Sequence, residues 1–238
     1  MLTPIKDFLR PIYHTWVTHK KVLPYRRSYS QQGEDMILAL EFADRLYANS
    51  GGFYVDVGAF HPEHYSTTQY FYLQGWRGIN IDAMPERMKL FQQLRPEDTN
   101  LEMGVSQVRS KLTYHLFDYP NMSTCCEETA HRFLEQGRTI ITQQEVETYP
   151  LAEILEKYLP KNQSIDFLNI DVEGLDYQVL NSNDWNQYRP HIVLVEDLDC
   201  LPIEQICDSR ILQFMKEQGY ELMAKTLFTL IFKNKYLN

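Results

Sequence analysis

Short apolar runs alternate with amphipathic segments along most of this chain. Continuous apolar runs predict buried strands, and apolar residues that recur every three or four positions predict helices. The predicted strands are Phe53–Val57, Gly78–Asp82, Leu101–Ser106, Asp166–Asp171 and His191–Glu196. The predicted helices are Ser28–Arg45 with Ser30 as its N-cap, Tyr65–Gln74, Pro85–Leu94, Leu151–Tyr158, Leu175–Leu180 and Ile203–Gln218. This order of strands and helices is typical of a doubly wound α/β sheet.

Two regions depart from this alternation. Lys111–Phe117 predicts a half-exposed strand, and the stretch that follows it, as far as Thr139, predicts an irregular loop. Tyr220–Phe232 predicts two strands that form an antiparallel pair. Because no linker rich in Gly, Pro or Ser divides the chain, we expect one domain over residues 28–238. Its sheet should be mostly parallel, with an antiparallel strand at the C-terminal end.

Composition and charge narrow the class of protein. Of the 238 residues, 44% are hydrophobic, so the chain can bury a sizeable core and is not intrinsically disordered. The net charge is −9, whereas a nucleic-acid-binding protein needs a cationic face, so we expect no nucleic-acid partner. The cysteines Cys125, Cys126, Cys200 and Cys207 lack metal-binding spacing, and reduced thiols are typical of a cytoplasmic protein.

The first 27 residues carry a net charge of +5, against −14 for the remainder. We expect residues 1–27 to form a basic helical extension that packs on the domain through its apolar residues. The alternative is an arm that contacts anionic lipid headgroups, which would place a cytoplasmic protein peripherally at the membrane, or a phosphate-bearing substrate. The pattern predicts neither a signal peptide nor a transmembrane segment, and it leaves a homodimer open.

Carboxylates gather where the predicted parallel strands end, and ligands of open α/β sheets bind outside those ends. An acid at the end of the second strand, here Asp82, usually accepts hydrogen bonds from the ribose of an adenosine cofactor; the alternative is a surface acid that caps the next helix. The first loop has the single glycine Gly58, whereas a pyrophosphate needs G-x-G-x-x-G. Phe60 and Pro62 would crowd a pyrophosphate, so an adenosine ligand without phosphates, such as S-adenosylmethionine, fits better.

Four segments, in chain order, resemble a known family. They are Ser30–Asp35 (SQQGED), Tyr54–Pro62 (YVDVGAFHP), Gly75–Phe91 (GWRGINIDAMPERMKLF) and Asp166–Leu180 (DFLNIDVEGLDYQVL). Together they are similar to the FkbM family of S-adenosylmethionine-dependent methyltransferases. The resemblance implies the class I methyltransferase fold, a Rossmann-like sheet of seven strands whose last strand is antiparallel.

The resemblance also implies which residues hold the cofactor. Its motifs assign the methionine part to the first loop, the ribose to the acid after the second strand and the adenine to the end of the third. The residues expected to bind S-adenosylmethionine are Gln31, Glu34, Asp56, Gly58, Ala59, Phe60, Asp82, Ser106 and Asp171. Many methyltransferases have a second glycine in the first loop, and this chain departs from them there.

Methyl transfer to a hydroxyl requires a group that accepts the hydroxyl proton. The predicted catalytic residues are His61, Asp171 and Glu173; the alternatives are a histidine held by backbone hydrogen bonds and, for Glu173, a helix cap. A divalent cation such as Mg²⁺, held by Asp171, Glu196 and Asp197, would acidify the hydroxyl instead. The alternative there is that Glu196 and Asp197 cap the next segment or contact the substrate.

The resemblance implies O-methylation of a sugar, glycoconjugate or polyketide-type hydroxyl, so the expected partner is a small-molecule or glycan acceptor. The segment 118–139 should form part of the acceptor site, with Tyr119 available to stack on a sugar ring. Two other classes stay open: an oxidoreductase that uses NAD or a nucleotide sugar, and a catalytically silent cofactor-binding module. Binding of S-adenosylhomocysteine without nicotinamide binding would remove the first, and methyl transfer would remove the second.

Overall fold

A computed structural model describes residues 27–198 and 202–237. The helices are α1 Glu34–Glu41, α2 Ala43–Tyr47, α3 Gln69–Leu73, α4 Arg87–Leu94, α5 Glu127–Glu135, α6 Leu151–Tyr158, α7 Asp176–Asn181 and α8 Arg210–Glu217, with 3-10 turns at Pro120–Met122 and Ile203–Asp208. The strands are β1 Phe53–Val57, β2 Arg77–Asp82, β3 Thr99–Glu102, β4 Gly104–Val105, β5 Ser110–Phe117, β6 Ile140–Tyr149, β7 Phe167–Ile170, β8 Ile192–Glu196, β9 Tyr220–Lys225 and β10 Thr229–Asn234. The basic extension predicted over residues 1–27 lies, except for Arg27, outside the described residues, as does Cys200.

Seven strands form the main sheet in the order β3-β2-β1-β7-β8-β10-β9. Strands β3, β2, β1, β7 and β8 pair in parallel, and β10 pairs antiparallel with both β8 and β9. The predicted doubly wound sheet with an antiparallel C-terminal strand is therefore confirmed. Within residues 27–198 and 202–237, no helix has the length and apolar character needed to cross a bilayer.

Both faces of the main sheet are covered, and β1 shows why its sequence is almost continuously apolar. Phe53, Val55 and Val57 belong to the core cluster that includes α6, α7 and α8. Tyr54 belongs to the cluster on the opposite face, with α1 and α3. Successive side chains of a strand point to opposite faces, so Asp56 is directed to the same side as Tyr54, toward α3. A polar side chain thus lies inside a strand that is buried on both faces.

The first predicted helix begins later than its amphipathic pattern suggests. Helix α1 starts at Glu34 with Gly33 as its N-cap, so the prediction of Ser30 as N-cap is wrong. Ser30 instead donates its hydroxyl proton to the buried carboxylate of Asp35, which also accepts the backbone N–H of Tyr29. These bonds turn the chain before the helix, and Gly33 allows the turn because its φ is +88°. The predicted continuous helix is also interrupted at Phe42, between α1 and α2.

Residues 99–149 differ most from prediction. The predicted third strand, Leu101–Ser106, is two strands in two sheets, since β3 pairs with β2 whereas β4 pairs with β6. The stretch predicted as irregular contains α5, and β6 follows it as the middle strand of a small sheet, β4-β6-β5. Most residues of β6 are exposed and polar, so no apolar pattern marks them. The predicted helix Ile203–Gln218 likewise divides at Ser209, whose hydroxyl caps α8.

Candidate active site

A cleft lies at the carboxyl ends of β1, β2 and β7. It encloses about 1170 Å³ of space between atoms, a figure that includes the open solvent at its mouth. The small sheet and the segment before α1 contribute to its walls. The predicted site residues that line it are Gln31, Glu34, Asp56, Gly58, Ala59, Phe60, Asp82, Asp171 and Glu173. Segments that are far apart in the chain thus meet at one edge of the sheet.

Asp56 lies at the floor of this cleft, within β1. Its Oδ1 accepts a hydrogen bond from the amide of Asn169 at 2.9 Å, and its Oδ2 accepts one from the hydroxyl of Thr68 at 3.0 Å. Arg95, which is fully buried, donates to the same Thr68 hydroxyl at 2.7 Å. Burial raises the pKa of Asp56, and the bonds from Asn169 and Thr68 and the charge of Arg95 oppose that shift. A relay from Arg95 through Thr68 therefore fixes the orientation of this carboxylate.

The loop after β1 is held against its two neighbouring strands. Gly58 and Ala59 both donate their backbone N–H to the carbonyl of Ile81, at 2.9 and 3.1 Å. Gly58 has a φ of +84°, and a Cβ at this position would overlap the carbonyl oxygen of Asp171. Phe60 also has a left-handed φ, of +50°. The N–H groups of this loop are thus already used within the protein.

Asp82 ends β2 and faces the cleft beside that loop. Its Oδ2 accepts the backbone N–H of Phe60, and its Oδ1 accepts that of Met84, both at 2.7 Å. Burial raises the pKa of Asp82, and these two hydrogen bonds oppose the shift. Each carboxylate oxygen can accept a second hydrogen bond, so Asp82 retains capacity for a ligand. It is not the N-cap of α4, which is Glu86.

The segment before α1 is fastened to the β9–β10 turn. Glu34 accepts a hydrogen bond from the Thr226 hydroxyl at 3.0 Å and another from the backbone N–H of Gln32 at 2.9 Å. The side-chain oxygen of Gln32 accepts the backbone N–H of Phe228 at 3.1 Å. These bonds hold Gln31 and Glu34 at the wall of the cleft, although they lie about 200 positions from that turn in the chain.

Ser106, predicted near the adenine, is not among the residues that line the cleft. Its hydroxyl lies within hydrogen-bond distance of the Val108 carbonyl, at 2.9 Å, and of the Thr148 hydroxyl, at 3.0 Å. The wall on this side is formed by Gly104 and Val105 of β4, together with Thr148. Ser106 therefore joins β4 to β6 and lies one residue beyond the wall.

His61 also lies outside the cleft lining. Its Nδ1 accepts the backbone N–H groups of Glu63 and His64, at 3.0 and 3.2 Å. Its ring packs against that of His64 with centroids 4.6 Å apart. Burial, and then the neighbouring His64 and Arg87, lower the pKa of His61. This is the arrangement of a loop histidine held by backbone hydrogen bonds, the alternative that the sequence left open.

Three carboxylates meet where β7 and β8 end. Oxygens of Asp171, Glu173 and Glu196 lie within 4.8 Å of one another. Burial raises the pKa of each of the three, and the charges of the neighbouring acids raise them further. The Oε2 of Glu196 is buried and has no hydrogen-bond partner among the described residues. This group is named the acid cluster below.

The acid cluster differs in one member from the predicted cation ligands Asp171, Glu196 and Asp197. Asp197 follows Glu196 directly, and its side chain is directed away, so that its Oδ2 accepts the hydroxyl proton of Ser209 at 2.8 Å. Glu173 takes its place in the cluster. Glu173 was predicted as a catalytic residue and not as a cation ligand; it reaches the cluster from a loop with a left-handed φ of +53°.

The segment 118–139, predicted to form part of the acceptor site, contributes Thr124 and Cys125 to the cleft lining, whereas Tyr119 is not among the lining residues.

Several other residues of the cleft were not predicted. Asn169 lies within β7, and its amide was hidden inside an apolar run. The others come from the turn after the first loop, from the β3–β4 junction, from the small sheet and from β10: Tyr65, Thr67, Met103, Tyr114, Thr148 and Thr229. They carry no local signal, because only long-range strand pairing brings them to the cleft.

A known protein family matches most of this chain. The family described as "Methyltransferase FkbM domain" matches residues 56–222, which is well over half of the chain. Among solved structures, the chain is similar to "Methyltransferase FkbM from Methylobacillus flagellatus KT", with 10% identity and a TM-score of 0.46. That similarity covers 96% of this chain and 60% of the other protein, so this chain spans less than two thirds of it. No curated protein matches.

The matched segment runs from Asp56 in β1 to Leu222 in β9. It contains the first loop, Asp82 and the acid cluster. The chain therefore belongs to the FkbM methyltransferase family.

Proposed function

We propose that this protein is an S-adenosylmethionine-dependent O-methyltransferase that acts on a hydroxyl group of a sugar or glycoconjugate. The observation that carries the proposal is Asp82, a carboxylate held at the end of β2 by two backbone N–H groups and facing the cleft. In parallel sheets a carboxylate at this position accepts hydrogen bonds from ribose hydroxyls. The family match supports methyl transfer as the reaction class.

The cleft fits an adenosyl sulfonium better than a dinucleotide. Gly58, Ala59 and Phe60 already donate their N–H groups to protein oxygens, so this loop has none left for a pyrophosphate. Met103 and Val105 offer an apolar wall for a base beside Asp82. S-adenosylmethionine, when bound, supplies a methyl group on positively charged sulphur, and the many carboxylates of the cleft suit such a cation. We assign Gln31, Glu34, Asp56, Gly58, Ala59, Phe60, Asp82 and Asp171 to its binding.

Carboxylate and aromatic side chains of the cleft favour a hydroxyl group as the methyl acceptor. A hydroxyl that becomes a methyl ether loses its proton, and Asp171 and Glu173 are carboxylates of the cleft that can orient the hydroxyl and receive it. The rings of Phe60 and Tyr65 lie at the same cleft with centroids 6.3 Å apart, and Tyr65 is largely exposed. Aromatic rings at such a site provide an apolar surface on which a sugar ring can stack.

Calorimetry with S-adenosylhomocysteine tests the cofactor assignment. We expect Asp82→Ala to weaken binding by about 1–3 kcal/mol, because ribose hydroxyls lose their acceptor. The matched control is Glu102→Ala, since Glu102 lies beside Asp82 in the register of β2 and β3 but is exposed and does not line the cleft. Equal affinities of wild type and Asp82→Ala, with the control unchanged, would contradict the ribose assignment.

Transfer of a labelled methyl group tests the reaction. We expect label from S-adenosylmethionine to enter glycans with free hydroxyls and to be recovered as O-methyl sugars. The matched control acceptors are the same glycans with every hydroxyl already methylated, which should take up none. Label found on nitrogen or carbon would refute O-methylation, and binding of S-adenosylhomocysteine without transfer to any acceptor would favour a silent cofactor-binding module.

A further inference from the structure

The acid cluster lies between two cavities. Asp171 and Glu173 line the cleft described above. Glu196 lines a second cavity, on the side of α5, α7 and α8, where Gly174 and Asp176 are its neighbours. A group bound among the three carboxylates would therefore stand where the cofactor cleft adjoins this second cavity.

In the described part of the chain no basic side chain forms an ion pair with the acid cluster. Burial and the neighbouring acids raise the pKa of Glu173 more than the nearby charge of Arg132 lowers it. Asp176 lies close by, and its two carboxylate oxygens accept the backbone N–H groups of Val172 and Gly174, each at 3.0 Å. Asp176 therefore adds negative charge beside the acid cluster and offers it no hydrogen-bond donor.

The second, independent observation is an unpaired carboxylate oxygen of Glu196. Its Oε2 is buried and has no hydrogen-bond partner in the described part of the chain, and one carboxylate oxygen of Glu196 lies within 4.8 Å of oxygens of Asp171 and Glu173. A buried carboxylate oxygen without a donor is costly and rare. It indicates a ligand that this oxygen would contact directly.

We infer that Asp171, Glu173 and Glu196 bind a hard divalent cation of the Mg²⁺, Mn²⁺ or Ca²⁺ class. Such ions prefer carboxylate oxygens and keep positions open for water or substrate. Opposite ligands lie about 4.2 Å apart across Mg²⁺ and roughly 4.6–5.2 Å apart across Ca²⁺, so oxygens within 4.8 Å of one another can share one ion with small side-chain shifts.

The role of the ion rests on the proposed function. A cation at this junction would contact the acceptor hydroxyl, make it a stronger acid and fix its position toward the cofactor cleft. The binding itself does not depend on that role, so it can be measured without cofactor or acceptor.

The test is a titration of the full-length protein with Mn²⁺. The electron paramagnetic resonance signal of the free ion is recorded at each step and gives the fraction of Mn²⁺ that is bound. We expect one saturable site, displaced by millimolar Mg²⁺ or Ca²⁺. Glu173→Gln and Glu196→Gln should each weaken Mn²⁺ binding at least tenfold. Glu128→Gln is the matched control, because Glu128 lines the second cavity outside the acid cluster, and it should bind Mn²⁺ like the wild type.

Binding of S-adenosylhomocysteine to the same samples separates the two proposals. Protein that binds S-adenosylhomocysteine but shows no saturable Mn²⁺ site overturns the cation inference and leaves the proposed function standing. Protein that binds Mn²⁺ through Glu173 and Glu196 but does not bind S-adenosylhomocysteine overturns the proposed function and leaves the cation inference standing. Loss of Mn²⁺ binding to an equal degree in Glu128→Gln would also overturn the inference. Glu173 is only half-buried, so Glu173→Gln is the safer variant for folding. It tests the cation site if Glu196→Gln does not fold.

Discussion

Gly58 is the residue at which the loop after β1 passes closest to the end of β7. It adopts a φ of +84°, and an added Cβ would overlap the carbonyl oxygen of Asp171. We expect Gly58→Ala to lower the free energy of unfolding by roughly 2–5 kcal/mol, from the left-handed backbone and from overpacking. It should also displace Asp171 and so weaken S-adenosylhomocysteine binding. Urea denaturation and calorimetry measure the two effects.

Gly75 provides the matched control for this prediction. Its φ is +86°, nearly that of Gly58, but a Cβ there would meet no atom within 4 Å. Gly75→Ala should therefore cost only the conformational part, about 1–2 kcal/mol, and leave ligand binding unchanged. Similar losses of stability in both variants would show that the contact with Asp171 is unimportant.

At the scale of elements, Glu41 joins the end of α1 to the main sheet. Its Oε1 lies 2.6 Å from the Nζ of Lys233 in β10 and 3.1 Å from the Nε2 of His191, which precedes β8. Burial raises the pKa of Glu41, but hydrogen bonds from Lys233 and His191 lower it more, so the net shift is downward. The contribution of this group is therefore present above the ordinary glutamate pKa and is lost as the pH falls through the lowered one.

Stability measured against pH tests this contact. We expect Glu41→Gln to lower the free energy of unfolding near neutral pH by about 0.5–1 kcal/mol, the value of a partly exposed ion pair. The difference from wild type should shrink as the pH falls through the lowered pKa of Glu41. Lys233→Met supplies the control, because in that background the ion-pair partner of Glu41 in β10 is gone and Glu41→Gln should make a smaller difference. A difference that stays constant down to low pH would contradict the assignment.

The central strands of the main sheet could be predicted because burial on both faces makes them continuous apolar runs. The residues of β1 and of β8 are all buried, and both strands were found within one residue of their observed bounds. Strand β6 and helix α5 could not be predicted, since β6 is mostly exposed and gains its place only by pairing with β4 and β5.

The contrast between buried apolar strands and exposed strands also explains which residues of the cleft could be predicted. Asp56, Asp82 and Asp171 lie in or directly after apolar strands, so their meeting at one sheet edge follows from parallel pairing. Tyr114 and Thr148 reach the cleft from the small sheet, which no local pattern indicates. The sequence therefore predicts the acids of the cleft floor and not the wall opposite them.

At the scale of the whole molecule, the cleft is assembled from both ends of the described chain. Gln31 and Glu34 line it on one side, and Thr229 of β10 lines it as well. A ligand that contacts all of these segments binds only the folded state of the protein. Its binding free energy therefore adds to the stability of the entire domain. Cofactor binding should consequently raise the temperature of global unfolding rather than protect one loop.

Thermal unfolding with S-adenosylhomocysteine tests this coupling. At a concentration one hundred times its Kd, the ligand should stabilise the protein by about 2.7 kcal/mol. For a chain of this size that corresponds to a rise in Tm of roughly 5–10 °C. NAD⁺ is the control ligand and should produce no rise, because the N–H groups of Gly58, Ala59 and Phe60 are already bonded within the protein. A rise with NAD⁺ but none with S-adenosylhomocysteine would favour an oxidoreductase over a methyltransferase.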